Sequence, residues 1–263
     1  ADVRTLLLDF THLSGATRTV SDVIAAGLVP AALEIMDQKM MTAVETWLHC
    51  GLPTESAAGL LAEVVGTAEA VEAEAALIDR IGRENGAGQV QIARDQAHRD
   101  LLWKGRKSAF GAVAQVSPDY YLHDTVVPRS RLVETMEEIQ AIGDRYGLDV
   151  YNVFHAGDGN LHPLMAFDAS DPEMLEKVQR AGEEMVAACM ARGGALSGEH
   201  GIGLEKRDMM RTGFSELDLD AQARLKESFD PGGIFNPAKV LPEGSRCFDF
   251  GGGKREVPDG AWV

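Results

Sequence analysis

The 263-residue chain reads as an α+β protein, a ferredoxin-like and mostly antiparallel sheet with helices packed on one side. Three observations carry that expectation. Strand-like and helix-like segments alternate along the chain. An Asp158-Gly159 pair between β-prone runs marks a tight hairpin. The composition, 45 % hydrophobic and 25 % charged, is that of an ordinary globular core.

The elements follow in order. Residues 3–10 are apolar and β-prone and predict a strand. Residues 20–27 and 31–48 predict helices, the second with Pro30 at its start. Residues 59–65 predict a strand. Residues 68–84 predict a helix, rich in Ala and Glu, with Val71, Ala75, Ile78 and Gly82 at helical spacing. A short strand is expected over 89–93 and a helix bearing Trp103 and Arg106 over 95–107. Residues 120–127 predict a strand ended by Pro128, and 131–146 an amphipathic helix with Leu132, Met136, Ile139 and Ile142 on one face. Strands over 149–155 and 161–167 flank the Asp-Gly turn. Helices follow over 173–192, with Gly193-Gly194 beyond its end, and over 218–229. No convincing internal repeat is visible.

The formal charge of −16, from 41 acidic and 25 basic residues, argues against nucleic acid, which needs clustered Lys and Arg. It also argues against binding an anionic membrane through the chain's own charge. Cys50, Cys189 and Cys247 form neither a CxxC pair nor a disulfide framework, so a reducing, cytoplasmic compartment is expected. No apolar run reaches membrane-spanning length, and the first residues lack a signal-peptide pattern.

The chemistry concentrates in two Gly-rich loops. If Asp158-Gly159 form a two-residue corner, His155 faces His162 and both imidazoles project to one side about 5 Å apart. Ser197-Gly198-Glu199-His200-Gly201 supplies a carboxylate, and two histidines with a carboxylate are a zinc ligand set. Glu199 and His200 diverge in an extended loop. Either Glu199 binds metal and His200 serves as general base, or His200 is the third ligand and Glu199 its support; the spacing leaves both open. Arg106 could hold a carboxylate bidentately, although the stretch alone reads as a solvated helix face. Asp158 and Asn160 read as turn residues. No dinucleotide fingerprint or Walker motif is present.

Five stretches together resemble the C-terminal domain of FAD-linked oxidases in the vanillyl-alcohol-oxidase flavoprotein superfamily, nearest to the D-subunit type of glycolate oxidase and to D-lactate dehydrogenases. They are Val29-Pro30-Ala31-Ala32-Leu33-Glu34, Trp103-Lys104-Gly105-Arg106-Lys107-Ser108-Ala109-Phe110 and Ser117-Pro118-Asp119-Tyr120-Tyr121. The segments 155–163 with 197–206, and Phe229-Asp230-Pro231-Gly232-Gly233-Ile234-Phe235-Asn236-Pro237, complete the match over residues 29–237.

The resemblance implies that His155, His162 and Glu199 bind a divalent metal, often zinc, and that His200 is the general base. It implies that Arg106 holds the substrate carboxylate and that Asn236 and Pro237 lie close to FAD. Residues 1–243 would then form a cap domain with a ferredoxin-like fold, and 244–263 a mobile tail. The implied parent enzyme oxidises a small 2-hydroxy acid, glycolate or D-lactate, to the 2-oxo acid. Its FAD-binding domain is expected to be absent from this sequence, which would leave the isolated chain inactive. A metal-binding or partner-docking module without chemistry of its own is the alternative. Relatives of the glycolate type imply flavin-type and iron–sulfur partner subunits at the inner membrane. Leu122, between Tyr121 and His123, stands where hydroxyglutarate enzymes carry a lysine, which favours a monocarboxylate.

Overall fold

A computed structural model describes residues 1–242. The tail expected from Gly244 and the third cysteine, Cys247, lie outside the described residues. The chain divides into two compact units, Ala1–Glu199 and a second that begins at His200.

The first unit carries one antiparallel sheet. Its strands are β1 (Asp2–Phe10), β2 (Ala32–Asp37), β3 (Ala58–Gly66), β4 (Ala87–Ile92), β5 (Asp119–Leu122), β6 (Thr125–Val126), β7 (Asp149–His155) and β8 (Asn160–Phe167). The spatial order is β4-β1-β3-β2-β7-β8-β5, with β6 also pairing β8. Its helices are α1 (Leu13–Ala25), α2 (Gln38–Leu48), α3 (Ala68–Glu84), α4 (Gln96–Lys107), α5 (Ala109–Val116), α6 (Leu132–Tyr146) and α7 (Pro172–Ala191).

The α+β class and the antiparallel sheet are as expected. The order β4-β1-β3-β2 is that of a ferredoxin-like βαββαβ unit. The order β5-β8-β7, with α6 and α7 as its helices, repeats the same plan. Its fourth strand is reduced to one bridge, Ala195 to Val126, after α7. The repetition is topological and leaves no trace in the sequence. The two halves join where β2 pairs β7, through Glu34 with His155, Ile35 with Phe154 and Met36 with Val153.

Side chains alternate across the strands. Leu6, Leu8, Phe10, Ile35, Leu60, Phe154 and Leu161 point to one face, where α1, α3, α6 and α7 bury Val20, Ile78, Ile139 and Met185 against them. This is the helical layer the sequence predicts. Leu7, Met36, Leu61, Val153 and Leu164 point to the other face, where α2, α4 and α5 add a second cover through Met40, Val44, Leu102 and Val113. Because both faces are covered, β3 is buried without alternation from Ala58 to Val64 and is apolar there apart from Glu63.

Three local expectations are corrected. Residues 31–48 are not one helix: 32–37 form β2, and α2 begins only after Asp37. Ala, Leu, Glu and Met favour a helix intrinsically, but this segment bonds β3 on one side and β7 on the other. Asp37 ends the strand and caps the helix, since its Oδ1 accepts from the Met40 amide at 2.8 Å. Residues 109–116, with no assignment from sequence, form α5. The expected strand over 120–127 breaks between β5 and β6, because His123 and Asp124 turn inward and are almost wholly buried. His123 stacks edge-on against Tyr121 and lies against Gly182 of α7, where an added Cβ would come within 2.1 Å of its Nε2.

Burial pushes the Asp37 carboxyl up to about 6, although amide hydrogen bonds from Met40 and Asn152 oppose the rise. A raised carboxyl binds more protons folded than unfolded between its usual value of 3.8 and about 6. The stability it contributes is therefore full below that window and lost as pH rises through it. The unfolding free energy of the protein minus that of Asp37→Asn should fall by roughly 2 kcal/mol from pH 4 to 7 in urea titrations. A flat difference would show that Asp37 titrates normally.

Candidate functional site

The candidate site lies on the sheet face covered by α2, α4 and α5, at the seam of the two halves. Glu34 of β2 and His155 of β7 are direct cross-strand partners there. His162 of β8 shares the face. The hairpin differs from the expected two-residue corner: His155 pairs with Asn160, and Val153 with His162. The loop therefore holds four residues, 156–159, closed by the Asp158 amide on His155 O (3.1 Å) and the Gly159 amide on Ala156 O (3.2 Å). Gly159 takes a φ of +73°, which a side chain resists. The register thus moves by two residues. Strand side chains repeat every two residues, so both histidines stay on one face, now as diagonal neighbours. Their ring centroids are 5.4 Å apart.

Glu199 arrives from the loop after α7. Its Oε1 lies 2.9 Å from His162 Nε2 and 3.7 Å from His155 Nε2. One ligand atom from each residue falls within 4.8 Å of the others, so the trio could hold a divalent cation. The donor set, two imidazole nitrogens and a carboxylate oxygen, suits zinc. His155 also has the support such ligands usually carry: its Nδ1 meets Glu34 Oε1 at 2.8 Å, which directs Nε2 toward Glu199. That hydrogen bond raises the His155 pKa above its ordinary value, outweighing burial; Arg106 opposes the rise and Glu199 adds to it. His162 is 1 % exposed and packs edge-on against Phe110 of α5 at 6.2 Å.

Glu34 was not anticipated. Its segment read as helix, where its neighbours could not be foreseen. In β2 it joins the trio of His155, His162 and Glu199 to the arginine. Arg106 Nε (2.9 Å) and Nη2 (2.8 Å) both meet Glu34 Oε2. Arg106 is 7 % exposed and Glu34 6 %, so Arg106 is not on a solvated helix face. Its Nη2 makes no well-aligned hydrogen bond. No described group accepts from Nη1. One edge of the guanidinium is thus held and the other is available to an anion.

A second carboxylate fixes α4. Glu63 of β3 accepts from Arg99 Nε and Nη2, Trp103 Nε1 and Thr5 Oγ1, at 2.6–2.8 Å. Burial pushes the Glu63 carboxyl up, but these hydrogen bonds outweigh it and hold it below the usual range. Gly105 lets α4 approach closely, since a Cβ there would lie 3.3 Å from Cys50 Sγ. Arg99, Trp103 and Arg106 lie on one helix face, gripped by Glu63 and Glu34 from adjacent strands.

Asn160 is a strand residue rather than a turn residue; it is 6 % exposed, opposite His155, and its Oδ1 has no hydrogen-bond partner. His200, Asn236 and Pro237 belong to the second unit. There α9 (Glu216–Phe229), which follows the short α8 (Met210–Gly213), leads into a turn organised by Asp230. Asp230 accepts from the Ile234 and Phe235 amides at 2.9 and 3.0 Å and from Lys226. Phe229, Ile234 and Phe235 are exposed beside Asn236, whose φ is +45°.

Nearly the whole described chain matches a known family. Residues 1–240 fit the family of FAD linked oxidases, C-terminal domain, and the chain belongs to it. Within that class it is similar to the glycolate oxidase subunit GlcD of Escherichia coli K12, with 40 % identity over 94 % of this chain and 50 % of that protein. GlcD of Bacillus subtilis is 35 % identical over 92 % of the chain and 52 % of its own length. A probable mitochondrial D-lactate dehydrogenase of Danio rerio is 30 % identical over 88 % of the chain and 47 % of its own length. The chain spans about half the length of these curated relatives. Among solved structures, p-cresol methylhydroxylase shares the fold at a TM-score of 0.72 and 13 % identity, over 92 % of this chain and 53 % of that one. 4-Ethylphenol oxidase from Gulosibacter chungangensis does so at 0.70 and 16 %, over 92 % and 54 %.

Removing Glu34 would leave the Arg106 charge buried and unpaired. Glu34→Ala should cost about 3–5 kcal/mol of unfolding free energy. The double variant with Arg106→Ala should cost clearly less than the sum of the single changes, because the two share one interaction. Additive losses in urea unfolding would mean that the pair is not coupled.

Proposed function

We propose that this chain is the substrate- and metal-binding cap of an FAD-dependent 2-hydroxy-acid oxidoreductase that converts glycolate or D-lactate to the 2-oxo acid. The observation that carries the reading is the meeting of His155, His162 and Glu199 beside an arginine with one edge held by Glu34. The similarity to glycolate oxidase and D-lactate dehydrogenase subunits supports the substrate class. We place FAD binding mainly on residues outside this chain, with glycolate-oxidase-type partner subunits in the assembly.

When bound, FAD supplies the acceptor for the hydride equivalent lost from the α-carbon, and the metal supplies positive charge at the α-hydroxyl oxygen. His155, His162 and Glu199 would hold the metal. Glu34 keeps the proton of His155 on Nδ1, which leaves Nε2 as a donor to the cation. Arg106 would receive the substrate carboxylate on the guanidinium edge that Glu34 does not occupy. Anchoring that carboxylate fixes how the α-carbon is presented. His200 takes the role of proton acceptor through the family resemblance alone. The exposed Ile234 and Phe235 beside Asn236 and Pro237 form the apolar surface that a flavin-bearing domain would cover. Leu122, cross-strand from Leu164 and packed with the apolar cluster of this sheet face, offers no second cation, which agrees with a monocarboxylate.

Elemental mass spectrometry of the chain, purified without chelators, should find close to one divalent metal per chain, and His162→Ala should lose it. Metal bound equally by both would remove the ligand assignment. In the holoenzyme, Arg106→Ala should raise KM for glycolate by about 10- to 100-fold, the range of one charged hydrogen-bonding contact. An unchanged KM would reject the carboxylate role.

A further inference from the structure

We infer that Asp124 is a positioning residue for this metal site: its buried carboxylate sets the conformation of residues 197–199 and so aims Glu199 at His155 and His162. The purpose of the clamp rests on the metal reading, but the clamp itself is a property of the protein chain. Asp124 lies in the break between β5 and β6 and is 1 % exposed. Its Oδ1 and Oδ2 accept from the Gly198 amide at 3.1 and 3.0 Å and from the Glu199 amide at 3.3 and 3.2 Å. The Ser197 hydroxyl donates to the same carboxylate. Consecutive N–H groups converging on one anion form a nest, and each bond is strengthened by the charge.

The loop is closed from the other side by Asn160. A Cβ on Gly198 would lie 2.3 Å from Asn160 Oδ1 and 2.5 Å from its Cγ, so only glycine lets the amide pack there. Asn160 is itself the cross-strand partner of His155. Residues 197–199 are thus held between Asp124 and a residue fixed to one of the histidines. Glu199 sits in a bend, and its side chain is 50 % exposed. A ligand carried on such a segment must be ordered each time metal binds unless something orders it beforehand. Buried carboxylates are costly unless they are hydrogen-bonded, and this one accepts from each of the three residues that end at Glu199.

The test compares the unaltered chain with Asp124→Ala and Asp124→Asn in two measurements. The first is Co²⁺ binding, followed by affinity and by the visible spectrum, which reports the ligand set. The second is hydrogen exchange at the Gly198 and Glu199 amides without metal. The expected result is an affinity loss of at least about tenfold with an altered Co²⁺ spectrum, and faster exchange at those two amides while β7 and β8 keep their protection. Unchanged affinity and unchanged exchange would overturn the inference. If the unaltered chain binds no Co²⁺, the metal reading fails, and exchange alone decides whether Asp124 holds the loop. Should the alanine variant not fold, Ser197→Ala removes one contact and should give a smaller change in the same direction; no change would count against the clamp.

Discussion

One buried carboxylate organises this site. Glu34 takes the side edge of the Arg106 guanidinium on one oxygen and the Nδ1 of His155 on the other. A buried anion of that kind is tolerable only because both oxygens are matched by cationic or polar hydrogen donors. The interaction then fixes two geometries at once: the edge that Arg106 presents and the nitrogen that His155 presents. It also ties α4, which is packed onto the sheet, to the strand that carries the first histidine. Glu63 supports it from the next strand by gripping the same face of α4 through Arg99 and Trp103.

The place of this interaction follows from the sheet. Each half brings its own strands and helices, and within the sheet the halves pair through three residue pairs between β2 and β7. Glu34 and His155 are one of those pairs. The arginine comes from the helical connection between the halves, and His162 from β8 in the second half. The donor that completes the trio, Glu199, comes from the segment that stands where a fourth strand of that half would run.

Much of this was legible in the sequence, and the failures have physical causes. The helix over 68–84 matches α3 because apolar periodicity, a Thr67 cap and good helix formers agree. The three metal-ligating candidates meet as expected even though the hairpin register was wrong, because an error of two residues leaves the face unchanged. The helix expected over 31–48 failed at its first half, because the composition of 32–37 favours a helix and only two flanking strands make it a strand. That failure hid Glu34 and left the surroundings of Arg106 unreadable. Asp124 was hidden in the same way: inside an apparently continuous strand, nothing marks a residue that turns inward to meet a loop more than seventy positions away.

The three pairs of the seam carry a further consequence. Ile35 and Phe154 point into the large helical layer, while the outer two pairs share the opposite face. One of these, Met36 with Val153, is apolar; the other, Glu34 with His155, is an acid against a base. Two identical half-sized chains pairing about a twofold axis here would have to repeat the same outer pair on both sides. They would bury two charged pairs, or two apolar ones, with no vacancy between. Joining both halves in one chain removes that obligation, so a single polar corner can stand beside a greasy contact in the same seam.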